Sequence, residues 1–588
     1  SSLEIYGDGI NSYVSETGTG DLYIQAGNEI FLQNTAGVTY FYGNQAGQST
    51  VGYAGVAKLA TTATGIDVTG TVVADGLTVA GNLSVDGGTI KLDGNYPVGT
   101  DNVALGNNTL SGSITGAGNI AIGDSVLSNA TSGSNAVAIG RDAMAGVYTG
   151  GDAVAIGRSS LASLTSGSNN VAVGTQALNS NTTASSNTAV GYQAGFSNTT
   201  GTTLTALGAF SAQSNTTGVK NTAVGYQALE DSTIGQQITA VGNEALKNNT
   251  TGGYSTGVGS VALASNTTGA YNTAVGGSAL QNNTTTSYNT AVGYQSLYSN
   301  TGDAYSTAVG AQSLYTNTTG AFNNAFGRLA LYSNTTGSNN TAIGQDALYS
   351  NTTASNNTAV GYQAGYSNTV GTLNTFVGYK SGYSSNVIGG AGNTAVGYET
   401  GLNLTTGYYN SFFGIDGSIG GAGGSTTTGT NNAFFGGAAG FANTTASYNT
   451  AIGIQALRSN TTASSNTAVG YQAGYSNTTG ATNAHFGYRS GYSGTTGTDN
   501  SFFGRESGYQ NTGSSNVAVG AAALYASGAG GSNVAVGNTA MFFNTSGGNN
   551  VAVGLDSLRN NTTASSNTAV GYQSLYANTT GAENVAIG

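Results

Sequence analysis

Asn187-Thr-Ala-Val-Gly-Tyr-Gln-Ala-Gly195 decides the fold, because its pattern returns along most of the chain. The anchor is Gly191, preceded by an apolar residue and a small one. Equivalent glycines run Gly106, Gly123, Gly140, Gly157 and Gly174 and continue to Gly571 and Gly588. There are 29 anchors, and 25 of the 28 intervals are 17 residues long. The exceptions are 19 residues (Gly378 to Gly397), 22 (Gly414 to Gly436) and 16 (Gly504 to Gly520). A fixed short period makes each repeat one turn of a stack rather than a domain. The expected product is all-β: a parallel β-roll or β-solenoid of 17-residue coils over residues 102–588. At the interstrand spacing of about 4.8 Å, such a stack is a rod roughly 140 Å long.

Within one coil the pattern alternates. The residue before the anchor is always apolar, and the one before that is Ala in 23 of 29 coils. The exceptions are Gly257, Phe376, Phe412, Phe434, His485 and Phe502. In an extended strand Thr188 and Val190 share one face, and Ala189 and Gly191 the other. The Ala/Gly face, nearly free of side chains, belongs where another backbone comes close. A second apolar point follows four residues after the anchor, as in Leu178, Leu229, Leu246 and Leu263. This predicts two short strands per coil, "TAVG" and "QALY". Asn recurs seven residues after the anchor (Asn181, Asn198, Asn215) and four before it in 23 of 29 coils (Asn187, Asn221, Asn272). Asn tolerates left-handed turn geometry and also forms amide ladders between identical neighbours. One Val and one Leu per coil make too thin a core to offset the ordering of the chain. The Ala/Gly face is therefore the expected contact with a partner, and a homotrimer the expected assembly. The two long intervals place extra residues at Ser384–Gly392 and Gly417–Asn431, where loops are expected to leave the roll intact on both sides.

Composition narrows the function classes. There is one Pro, no Cys and one His in 588 residues. Disulfides and thiolate metal sites are excluded, and one Pro suits uninterrupted ladders. The formal net charge of −12, with 6% charged residues, gives no basic footprint for nucleic acid. No apolar run is long enough to span a membrane as a helix. The chain starts without Met and stops within a repeat, so both ends read as cut from something longer.

The repeats "NVAVG", "NTAVG" and "NVAIG", closely followed by "QAL", resemble the head repeats of trimeric autotransporter adhesins. The N-terminal strings "LEIYGDGINSYVSETGTGDLYIQAGNEIFLQNTAG" and "TGIDVTGTVVADGLTVAGNLSVDGGTI" look like bacteriophage tail-fibre sequence. In the second, Leu77/Val79 and Leu83/Val85 recur six residues apart between glycines, as short strands of a fibre shaft would. Three regions follow: a β-rich fibre segment over 1–62, a short-strand shaft or connector over 63–101, and the repeat roll over 102–588. The resemblance implies three rolls around one axis, in a structural tail fibre that mediates host attachment. Its location would be the virion, outside cells. Its partners would be other virion tail proteins and a host-surface glycan or protein receptor. The alternative it leaves open is a bacterial surface trimeric adhesin or extracellular filament.

No motif for catalysis, a cofactor or a metal emerges. His485 stands alone at an Ala-face position, where a packed or surface His is expected rather than a ligand or base. Acidic residues are sparse in the repeats, and the turns use Asn and Thr where calcium-binding rolls use Asp. Adjacent threonines in "NTT" point to opposite faces if extended, which does not suit a flat ice-binding array. An enzyme is the least expected class. One surface feature stands out: Tyr298, Tyr315, Tyr332, Tyr349, Tyr366 and Tyr383 recur five residues after six consecutive anchors, and Tyr475, Tyr492 and Tyr509 follow. They read as an aromatic ladder stabilising the roll, or as a stripe for weak contacts with glycans or a neighbouring fibre.

Overall fold

A computed structural model describes residues 3–7, 12–16, 24, 29–33, 36, 39–44, 49–53, 56–62, 65–68 and 101–588, apart from 113, 303, 387–391 and 416–419. Contacts divide the chain into two units, at Lys91/Leu92. In the first, Leu3–Gly7 and Ser12–Glu16 form an antiparallel hairpin. Five more strands, from Glu29–Gln33 to Gly65–Asp67, form an antiparallel meander. The β-rich N-terminal segment thus runs beyond residue 62. The short strands expected around Leu77 and Leu83 lie outside the described residues.

The second unit is a parallel β-solenoid. Its described residues hold 29 three-residue strands, from Val103–Leu105 to Val585–Ile587. Each pairs in parallel with its equivalent one coil on, as Thr273, Ala274 and Val275 do with Thr290, Ala291 and Val292. The long and short intervals leave this ladder unbroken. Thr375 pairs with Thr394, Ser411 with Ala433, and Ser501 with Val517. The five extra residues of the 22-residue interval enter the turn after Gly414, because Ala422 N–H donates to Gly414 C=O across it (3.3 Å). The loops expected at Ser384–Gly392 and Gly417–Asn431 are narrower than that: Ser384 N–H donates to Leu402 C=O (3.0 Å), Gly423 N–H to Ala439 C=O (3.0 Å) and Thr427 N–H to Thr444 C=O (2.9 Å), so these residues keep to the regular coil, while 387–391 and 416–419 lie outside the described residues.

Two sequence expectations need correction. The "QAL" segment is not a second strand. It forms consecutive turns, with Ala177 N–H donating to Gly174 C=O (3.3 Å) and Asn181 N–H to Leu178 C=O (3.1 Å). Gln176 and Leu178 take left-handed backbone angles (φ 59° and 48°), which no strand accommodates. The faces are also reversed relative to the core. Ala189 is fully buried and Val190 is 39% exposed. The Ala/Gly face does meet backbone closely, but that backbone is the same chain. A Cβ on Gly191 would lie 2.4 Å from the Gly208 carbonyl oxygen of the next coil. A coil of 17 residues closes on a lumen that in most coils holds Ala from one wall and Leu from the other. The Ala/Gly face therefore offers nothing to a partner; Thr and Val face outward.

The lumen is filled by exchange of volume. Where Phe or His replaces the strand Ala, the core Leu is replaced by Gly. The pairs are Phe376/Gly382, Phe412/Gly423, Phe434/Gly440, His485/Gly491 and Phe502/Gly508. Phe376 also fills the space beside Gly365, and His485 that beside Gly474. At the polar end of the lumen, buried asparagines take the place of apolar side chains. Asn187 N–H donates to Asn170 Oδ1 (3.1 Å), and Asn170 Nδ2 to Ala184 C=O (2.9 Å). The second Asn row bonds side chain to side chain: Asn266 to Asn249 and Asn283 to Asn266, both at 2.8 Å. Neither row adopts the left-handed geometry that also favours Asn; both are used for the ladder.

The volume exchange is testable. A Cβ on Gly382 would lie 2.4 Å from the Phe376 ring, while its φ of 60° is close to that of the core leucines. Gly382→Leu is expected to destabilise by about 1–3 kcal/mol through overpacking. Adding Phe376→Ala, which recreates the usual Ala/Leu pairing, is expected to recover most of that loss. Denaturant unfolding of the two single variants and the double variant measures this coupling.

Candidate functional site: exposed tyrosine rows

Each coil sets its turns over those of its neighbours, so a residue repeated at one offset becomes a straight row. The predicted stripe is such a row. From Tyr298 to Tyr383, successive rings lie 5.1–5.2 Å apart and 4–10° from parallel. The second run, Tyr475, Tyr492 and Tyr509, continues through Tyr525 and Phe542 at spacings of 4.8–5.0 Å. The rings stack on one another, so their faces are occupied and their edges and hydroxyls are presented. Burial, then the neighbouring tyrosines, raise the Tyr315 and Tyr366 hydroxyls above the usual phenol value.

Two further aromatic rows were not anticipated. Tyr254, Tyr271, Tyr288, Tyr305 and Phe322 stack at 4.9–5.3 Å, five residues before their anchors. Other coils place Asn135, Ser186 or Asp499 there, because the backbone is left-handed at this offset. The signal was present as an aromatic before each "NTAVG"-type strand. It was hidden because the offset reads as a polar turn elsewhere. The third row, directly after the anchor, stacks Tyr362, Tyr379 and Tyr398, and separately Tyr471 and Tyr488. Cations lie against these rings. Arg458 sits 5.5 Å from the Tyr475 ring centroid and donates to its hydroxyl (3.1 Å).

Among the described residues no group of three or more potential metal ligands comes together, and no helix is long and apolar enough to cross a membrane. His485 is in the lumen, 5.3 Å from the Phe502 ring, and burial pushes its pKa down to about 4. It takes the place of the aromatic residues found at this offset in sister coils. No protein-family model, curated protein or solved structure matches the chain.

The buried His485 gives a sign-definite pH effect. Between the ordinary His value of about 6.5 and the folded value of about 4, the unfolded chain binds a proton that the folded chain does not. Stability contributed by neutral His485 is complete above pH 6.5 and falls as pH drops toward 4, by roughly 3 kcal/mol in all. His485→Phe is expected to remove this part of the acid slope and leave the neutral-pH Tm nearly unchanged. Thermal unfolding of both proteins from pH 7 to 4 measures it. An identical slope in the variant contradicts the assignment.

Proposed function

We propose that this chain is a structural, homotrimeric fibre of a bacteriophage tail, a spacer and adhesion shaft that serves host attachment. One observation carries the reading. The outer face of the parallel ladder is a continuous apolar strip, one large residue per coil. Ile156, Val190, Val292, Phe326, Ile343, Phe435, Ile452 and Phe503 are all between 36% and 44% exposed. Soluble monomers rarely leave so long an apolar strip in water. Three identical strips facing one axis would cover one another with matched register, since each chain has the same repeat. This moves the expected trimer contact from the Ala/Gly face to the Thr/Val face.

The remaining surface supports the same role. It is polar, weakly charged and periodic, and the described residues offer no cluster of catalytic groups. A stack of this kind spans distance and presents weak contacts many times, with avidity from repetition. In this reading the chain is carried on the virion and works outside cells. It joins other tail proteins and meets a host-surface glycan or protein receptor. It has no turnover of its own.

Mass photometry of the intact chain is expected to give three times the 57.9 kDa chain mass. Val292→Lys combined with Ile343→Lys is expected to dissociate the assembly. The β-sheet circular dichroism should be retained, because both side chains point away from the lumen. A wild-type chain that is a stable monomer at micromolar concentration overturns the trimer. Chains that hydrolyse a purified host polysaccharide overturn the non-enzymatic reading.

A further inference from the structure

Two three-coil blocks share one arrangement of side chains. The first reads Gly361-Tyr-Gln-Ala-Gly-Tyr366, Gly378-Tyr-Lys-Ser-Gly-Tyr383 and Gly397-Tyr-Glu-Thr-Gly401. The second reads Gly470-Tyr-Gln-Ala-Gly-Tyr475, Gly487-Tyr-Arg-Ser-Gly-Tyr492 and Gly504-Arg-Glu-Ser-Gly-Tyr509. Equivalent positions stack, so the second residue after each anchor forms a line. That line is Gln363, Lys380, Glu399 in one block and Gln472, Arg489, Glu506 in the other. The order of amide, cation and carboxylate is the same. No other three consecutive coils repeat it, and Lys380 and Arg489 are the only basic residues at this offset.

Tyrosines flank each line on both sides. Lys380 Nζ is 5.3 Å from the Tyr379 ring centroid and 5.5 Å from that of Tyr383. The Arg489 guanidinium is 5.2 Å from both Tyr488 and Tyr492. Arg489 Nε donates to Gln472 Oε1 (2.9 Å), which orients the guanidinium through one of its donors. Among the described residues no ion pair engages Lys380 or Arg489. Beneath both cations the lumen holds an aromatic ring, Phe376 or His485, in place of the usual Ala.

We propose that each block is a saccharide-binding station, and that its ligand is a neutral polysaccharide lying along the stack. Sugar rings have apolar C–H faces and rims of hydroxyls. The tyrosine rows present ring edges and hydroxyls, and together with the line of amide, cation and carboxylate they donate to and accept from the hydroxyl rims. An anionic ligand is disfavoured, because Glu399 and Glu506 stand in line with the cations. The rows repeat with ring spacings of 5.0–5.5 Å, so successive sugars meet equivalent groups one coil at a time. The stations are six anchors apart, about 29 Å at 4.8 Å per coil. A long glycan therefore reaches both, and three chains would multiply the contacts.

The station deepens the host-attachment reading but does not need the trimer. Fluorescent dextran, a β-glucan and a mannan, with heparin as the anionic control, are titrated into the intact chain by anisotropy at low and high salt. At least one neutral glycan is expected to bind, with little salt dependence. Lys380→Ala with Arg489→Ala is expected to weaken it roughly 100-fold by removing both stations, and either single change far less. Glu399→Gln with Glu506→Gln, which keeps the packing, is a second variant expected to weaken binding at least tenfold. Three results overturn the station: no neutral glycan binds, heparin alone binds and is released by salt, or both double variants bind as well as the parent. Such a result with an intact trimer removes the station and leaves the fibre. Glycan binding by a monomer does the reverse.

Discussion

Every other feature depends on one constraint: outside the short turns, a peptide group finds its partner one coil away. Thr290 N–H donates to Ser306 C=O (2.9 Å), and Gly293 N–H to Val275 C=O (2.8 Å), so bonds run to both neighbouring coils. This closeness leaves no room at the anchor for a Cβ, which would lie 2.6 Å or less from the next coil's carbonyl oxygen in most coils. It limits the wall opposite the core Leu to Ala. It also makes side-chain amides useful, because a buried Asn in most coils has an identical Asn at bonding distance in the next. A residue without these properties leaves either a clash or an unsatisfied polar group, and the defect falls inside a lumen with no slack.

The same constraint organises the exterior. A turn residue set directly over its equivalent becomes part of a row, and the chain writes surface properties as stripes. The apolar Thr/Val strip, three tyrosine rows and the Gln–cation–Glu lines are separate stripes on one periodic scaffold. Their chemistry is set coil by coil without disturbing the ladder, since none of these side chains enters the lumen. A surface with this grammar suits a fibre that holds position and makes repeated weak contacts.

Much of this was legible in the sequence. The period fixed the parallel register, and the Leu positions identified a core point. The Asn rows announced the amide ladders, and the tyrosine stripe at Tyr298–Tyr383 is stacked as one of its two readings had it. What failed was the assignment of inside and outside. Val190 is larger and more apolar than Ala189, so hydrophobicity places Val in the core. The width of a 17-residue lumen overrides that preference, and width is a property of the closed coil, not of any residue. The second strand failed for a related reason: "QAL" alternates like a strand, but closing the coil requires left-handed angles at Gln176 and Leu178. The Phe-for-Ala and Gly-for-Leu exchanges were visible as exceptions. They gain meaning only once both positions are known to share one space.

The central claim is that buried asparagine ladders and backbone ladders together hold a solenoid whose interior is Ala and Leu. Hydrogen exchange of side-chain amides tests it most directly, on a chain labelled at Asn with nitrogen-15. The Nδ2 protons of Asn266, Asn283, Asn334 and Asn351 are donors within the ladder, at 2.6–2.8 Å from the preceding Asn oxygen. They are predicted to exchange as slowly as the strand amides of Thr273 and Thr290. Exchange of these side-chain protons at the rate of free asparagine, with the strand amides still protected, would contradict the account.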